Sequence, residues 1–147
     1  MTTQDNLAQE PRRILLDYPH RVAGHCGSGA LRDLVEWAGL GWEEVPSEGL
    51  VFGMAGGLGF TYLRMSGLTP PVYLVGRSDG FEIDLPTRLG AEVEVRRTDD
   101  PGTGWYWVRR ELQHGRPALL WADIAELPYL KVRLQMGRHD IVVIGYD

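Results

Sequence analysis

One cysteine stands among the 147 residues, and its neighbours suit a nucleophile. Gly24-His25-Cys26-Gly27-Ser28-Gly29-Ala30-Leu31 surrounds Cys26 with small residues, which let a substrate carbonyl approach the backbone closely. The backbone N–H of Cys26 is also suited to binding an oxyanion. A second chemistry-bearing residue, His139, opens the run Gly137-Arg138-His139-Asp140-Ile141-Val142-Val143-Ile144-Gly145-Tyr146-Asp147. A rigid strand end is a good mount for a general base. Each residue has a plainer reading: a lone cysteine often serves as a small buried hydrophobe, and a histidine at a strand edge as a surface or structural group. The pair is more informative than either residue alone, with Cys26 as candidate nucleophile and His139 as candidate base.

The elements that must position this pair follow from the pattern of apolar residues. Ala30, Leu31, Leu34, Val35 and Ala38 recur as one face of a buried helix, which Gly39 ends. Cys26 then falls just before or within the first turn, where free N–H groups and the positive end of the dipole favour an anion. Ser47 to Phe52 reads as a second short helix, and the glycine-rich Gly53 to Phe60 as a loop. Val72 to Val75 predicts a strand and Asp84 to Leu89 a short helix capped by Asp84, with Gly90 stopping it. Ala91 to Val95 alternates as a half-buried strand does. Asp99-Asp100-Pro101 starts a helix whose Trp105, Val108 and Leu112 share a core face and which Gly115 ends. Pro117 to Ala122 and Ile141 to Tyr146 are strands. Helices early and strands mostly late argue for an α+β fold. No repeat, linker or low-complexity stretch divides the chain, so residues 1–147 are expected to form a single domain after a flexible lead-in over residues 1–10.

Composition narrows the function classes. A formal net charge of −5 with Arg scattered among Asp and Glu gives no basic stripe, which speaks against nucleic acid and against anionic membrane surfaces. The apolar runs are of strand length, far short of the ~20 residues a membrane helix needs. One cysteine and an N-terminus without a signal-peptide layout fit a reducing cytoplasm. Gly57-Leu58-Gly59 is not followed by a capped helix in a strand-helix-strand unit, so no nucleotide cofactor is expected. His20, His25, Cys26 and His139 contain no compact ligand pair, so no metal is expected either. Asp123 to Tyr129 offers an acid and a phenol that suit an amine or polar acyl group, although an N-cap Asp and a packed Tyr explain them more simply.

His25-Cys26-Gly27-Ser28-Gly29-Ala30-Leu31 together with His139 to Asp147 resembles the papain-like bacteriocin-leader peptidases. With Leu50 to Leu63 and Asp123 to Tyr129 added, the chain more closely resembles the N-terminal domain family of butirosin biosynthesis protein H, over roughly residues 20–147. The resemblance implies a papain-like fold, with N-terminal helices packed on a mainly antiparallel sheet. It implies that Cys26 attacks a thioester or amide carbonyl, that His139 removes the thiol proton, and that an acyl-enzyme passes its acyl group to an amine or to water. An acyl carrier protein or peptide-like substrate as donor and a small-molecule amine as acceptor come with it. The papain-like pattern also places an oxyanion-binding Gln six residues before the nucleophile, where this chain has His20, whose ring N–H can donate similarly. It calls for an Asp or Asn on a following strand to orient the histidine. Asp147 would lie roughly 26 Å along the strand from His139, too far for that role. The chain is therefore expected to be the N-terminal part of a longer protein, or else a short form with impaired chemistry. The rival to an acyltransferase is a cysteine peptidase or amidase, or a non-catalytic binding domain that keeps the old cleft.

Overall fold

A histidine cap and a glycine stop bound the first helix, α1 (Cys26–Trp37). His25 is extended at its N-cap, and its Nδ1 accepts the Ser28 N–H at 3.2 Å. At the other end Gly39 takes φ +64°, its N–H bonding Glu36 O and the Leu40 N–H bonding Val35 O, the glycine-terminated closure expected from the sequence. Leu31 and Val35 are buried as predicted, and so are Arg32 and Asp33, which pair at 2.8 Å on the other flank. Arg32 also donates to the carbonyls of Arg21 and Val22, so the segment before the helix is laid along it. The computed structural model describes residues 11–67, 69–133 and 138–147; the lead-in expected over residues 1–10 lies outside them.

Helix α2 (Glu48–Met54) is capped by Ser47 and runs past the expected stop at Phe52. A hairpin follows, β1 (Thr61–Arg64) antiparallel to β2 (Val72–Val75) with Thr61 opposite Val75; its second strand was predicted and its first was not. Helix α3 (Phe81–Arg88) starts three residues before the predicted Asp84 cap. The cause is packing: Phe81 and Leu85, one turn apart, are fully buried, and Asp84 lies inside the helix facing Arg88 at 3.7 Å. The strand expected over Ala91 to Val95 is absent, because that stretch has no backbone ladder and leaves Val93 and Val95 exposed.

Helix α4 (Pro101–Gln113) has Asp100 as its cap, accepting the Thr103 N–H at 2.6 Å. Val108 and Leu112 are buried as predicted, but Trp105 is half exposed, its ring edge-on to Tyr146 at 5.8 Å. Strand β3 (Ala118–Ala122) pairs antiparallel with β4 (His139–Val143), Leu120 opposite Ile141 and Ala122 opposite His139. The predicted final strand is split: Gly145–Tyr146 forms β5, paired with Ile14–Leu15 near the start of the described chain.

Among the described residues, four α-helices and three two-stranded antiparallel ladders make an α+β architecture. The core lies where α1, α2 and α3 meet, built from Leu31, Val51, Ala55, Phe81 and Leu85 with Trp42, Phe52 and Leu89 against it. α1 also packs on β4, which brings the helix start to the strand start. Among the described residues no helix is long and apolar enough to cross a membrane.

Candidate active site

Cys26 is the first residue of α1, and its Sγ lies 3.6 Å from Asp140 Oδ2, to which it donates. Side chains alternate along β4, so Asp140 and Val142 face α1 while His139 points to the opposite face. Cys26, Asp140, Val142 and Ile144 line a cavity of about 280 Å³ that His20 and Tyr18 also border. The structure therefore brings two of the three expected site residues, Cys26 and His20, to one cavity. His139 opens β4 as expected, one position from the carboxylate that meets the thiol.

Asp140 was not foreseen as a site residue. It is a buried acid at the edge of an apolar strand, and such a group needs a partner. Arg77 provides one, its Nη1 lying 3.3 Å from Asp140 Oδ2 and 2.6 Å from Glu82 Oε1. Arg138 continues the network to Glu82 Oε2 at 3.2 Å and Asp79 Oδ1 at 2.7 Å. The Arg77 guanidinium also sits over the Phe81 ring at 5.2 Å, and Arg138 over Trp121 at 5.0 Å. Burial, and then the neighbouring Asp140, push the Glu82 carboxyl above the usual carboxylate range, against the pull of Arg77 and Arg138. The network ties α3 to the start of β4 beneath the nucleophile. Gly27 has no side chain for a reason: a Cβ there would lie 2.7 Å from Asp140 Oδ2 and 3.0 Å from Arg77 Nη1.

A second cluster fixes the entry to α1. Glu48 accepts the N–H groups of Gly24 at 2.9 Å and His25 at 2.8 Å and the Ser28 hydroxyl at 2.8 Å. The Gly24 N–H leads in holding its carboxyl below the usual range. The His25 ring stands edge-on to Phe52 and Phe81, and burial together with the Arg77 charge lowers its pKa. With Nδ1 accepting from Ser28, the ring proton belongs on Nε2. Ser28 is fully buried, so this cluster is a brace and not a second nucleophile.

Burial is the largest influence on the Cys26 thiol and raises its pKa; the Asp140 carboxylate raises it further, while the Asp140 backbone N–H pulls the other way. The resting group is a thiol hydrogen-bonded to a carboxylate, poised beside a small cavity. Asp123 caps a short 3₁₀ turn by accepting the Ala125 N–H, the simpler of its two expected roles, and Tyr129 is exposed and not packed. Among the described residues no group of three His, Cys, Asp or Glu side chains is placed to hold a metal ion.

The sequence matches a protein-family model, butirosin biosynthesis protein H, N-terminal, over residues 25–147. No curated protein matches, and no solved structure does.

Proposed function

Because this chain belongs to the butirosin biosynthesis protein H N-terminal family, we propose that it is a papain-like, cysteine-dependent acyltransferase of secondary-metabolite biosynthesis. In this reading Cys26 Sγ attacks the carbonyl carbon of a carrier-protein thioester, the donor's C–S bond breaks, and the donor thiol leaves with the proton that Cys26 gave up. An amine nitrogen then attacks the acyl-Cys26 carbonyl, and its proton returns to Sγ as the new amide departs. With water in place of the amine the same steps give hydrolysis.

The observation that carries the reading is the placement of the one thiol at a helix start, on a cavity, against a buried carboxylate. The thiol donates a hydrogen bond to Asp140 in the resting arrangement, and in this reading the ring N–H of His20, which borders the same cavity, supports the oxyanion. His139 remains the family-derived base, next to Asp140 at the start of β4.

The test is the release of free thiol from a small acyl thioester, with and without an added amine. Wild type should accelerate release, and Cys26→Ala should not. Full activity in the alanine variant would sink the reading. The second reading, a non-catalytic domain that binds a carrier protein or leader peptide, draws on the raised thiol pKa and on the direction of His139. It expects a folded wild type with no turnover.

A further inference from the structure

Glu82 is a buried acid that the proposed chemistry does not use. Its side chain is 1% exposed and stands between two guanidinium groups, Arg77 at 2.6 Å and Arg138 at 3.2 Å. The same Arg77 nitrogen that meets Glu82 Oε1 also donates to Asp140 Oδ2, at the longer distance of 3.3 Å. Asp140 Oδ2 in turn accepts from Cys26 Sγ at 3.6 Å. A series of alternating charges therefore runs from Asp79 at the surface through Arg138, Glu82, Arg77 and Asp140 to the thiol.

Three carboxylates in this series share two guanidinium groups, so Glu82 and Asp140 compete for Arg77. Attraction between charges falls with distance, and the shorter contact gives Glu82 the larger share. What Arg77 withholds from Asp140 leaves the charge of that carboxylate to act on Sγ, where it opposes a thiolate. The competition is felt at the other end as well: after burial, the charge of Asp140 is the next influence that pushes the Glu82 carboxyl up.

We propose that Glu82 is a positioning residue for Cys26: by holding Arg77 partly away from Asp140, it keeps the Asp140 charge directed at the thiol and so sets how readily the nucleophile ionises. Neutralising Glu82 hands Arg77 to Asp140 and releases the thiol toward thiolate. Removing the Arg138 charge does the reverse, because Glu82 then draws harder on Arg77. That this coupling governs acyl transfer rests on the acyl-transfer reading; the coupling itself does not. His25, Glu48, His139, His20, Tyr18 and Asp33 are the other titratable groups around the thiol, and all stay in place in the test.

The experiment measures iodoacetamide alkylation of Cys26 in the full chain from pH 7 to pH 10, for wild type, Glu82→Gln, Arg138→Gln, and each of these variants combined with Asp140→Asn. Glu82→Gln should speed alkylation at pH 7 by about threefold and move the pH profile to lower pH, as a modest rise in the thiolate fraction requires. Arg138→Gln, at the more exposed end, should slow it by about 1.5-fold to twofold. In the Asp140→Asn background both effects should vanish, since the link to Sγ has lost its charge. A loosened structure would instead speed both variants without moving the profile. An unchanged rate in Glu82→Gln, changes of the same sign in the two variants, or effects that persist in full without the Asp140 charge overturn the proposal. Should Asp140→Asn fail to fold, the opposite signs decide; should Glu82→Gln fail to fold, Arg138→Gln decides with and without Asp140→Asn. Shifted alkylation with no thiol release from thioesters by wild type would sink the acyl-transfer reading and leave the coupling standing, and thiol release with unshifted alkylation would do the opposite.

Discussion

Cys26 Sγ donates to Asp140 Oδ2 at 3.6 Å, across an ordering of the chain that puts a buried acid where a basic group is expected. The helix start favours a thiolate by roughly 0.3–2 kcal/mol. A like charge at about 4 Å opposes it by about 4 kcal/mol at an effective dielectric constant near 20. Burial is the largest influence raising the thiol's pKa, and the carboxylate adds to it against the dipole.

The first consequence concerns the thiol itself. Wild-type Cys26 should react slowly with iodoacetamide at pH 7, its rate rising with pH and levelling off only above the ordinary thiol value of 9.0. Asp140→Asn removes the opposing charge and should raise the rate at pH 7 by about tenfold or more, since each pKa unit is tenfold in thiolate. An unchanged rate profile would show that Asp140 does not control the thiol.

Gly27 carries the second. Alanine there forces Asp140, Arg77 or Phe81 to shift, with the nearest atom 2.7 Å from the new Cβ. The expected loss is about 1–3 kcal/mol, the usual cost of overpacking, read from the urea midpoint. A variant as stable as wild type would mean that the start of α1 is not packed against the network.

His25 gives a pH signature. Its pKa is lower in the folded chain than the ordinary 6.5, so the unfolded chain binds the extra proton more readily. Stability should be full above 6.5 and decline as the pH falls below it, because protonating Nδ1 removes the acceptor for the Ser28 N–H. His25→Asn keeps a capping acceptor and should lose this dependence between pH 5 and 7, within the general acid sensitivity that both proteins share. A parallel decline in the two proteins would assign the effect elsewhere.

Phe81 unites the core and the site, since it is fully buried and touches both the His25 ring and the Arg77 guanidinium. Phe81→Ala should cost about 3–5 kcal/mol by denaturant unfolding. A loss below 1 kcal/mol would contradict the packing of α3 described above.

What could be read in the sequence was local. The stripe from Ala30 to Ala38, the Gly39 stop, the Asp100 cap and the apolar run ending at Ala122 each carry their own signal within a few residues, and each element formed. Asp84 misled because it is a good cap by type, while the helix is set by burial of Phe81 after a glycine that gives no side-chain signal. Ala91 to Val95 has the alternation of a strand, but alternation does not supply a partner. The site was half legible. Cys26 announces itself through its small neighbours, and His20 only through a family pattern. Asp140, Arg77, Glu82 and Tyr18 come together from distant parts of the chain, and a charged residue beside an apolar strand looks from sequence alone like the solvated edge.

The most direct measurement of the central claim is the intact mass of the protein after brief incubation with a butyryl thioester, followed by peptide mapping. The account predicts a gain of one butyryl group on the peptide containing Cys26, absent in Cys26→Ala and discharged when an amine is added. A wild-type protein whose mass stays unchanged, while it remains folded and binds the thioester, would contradict it.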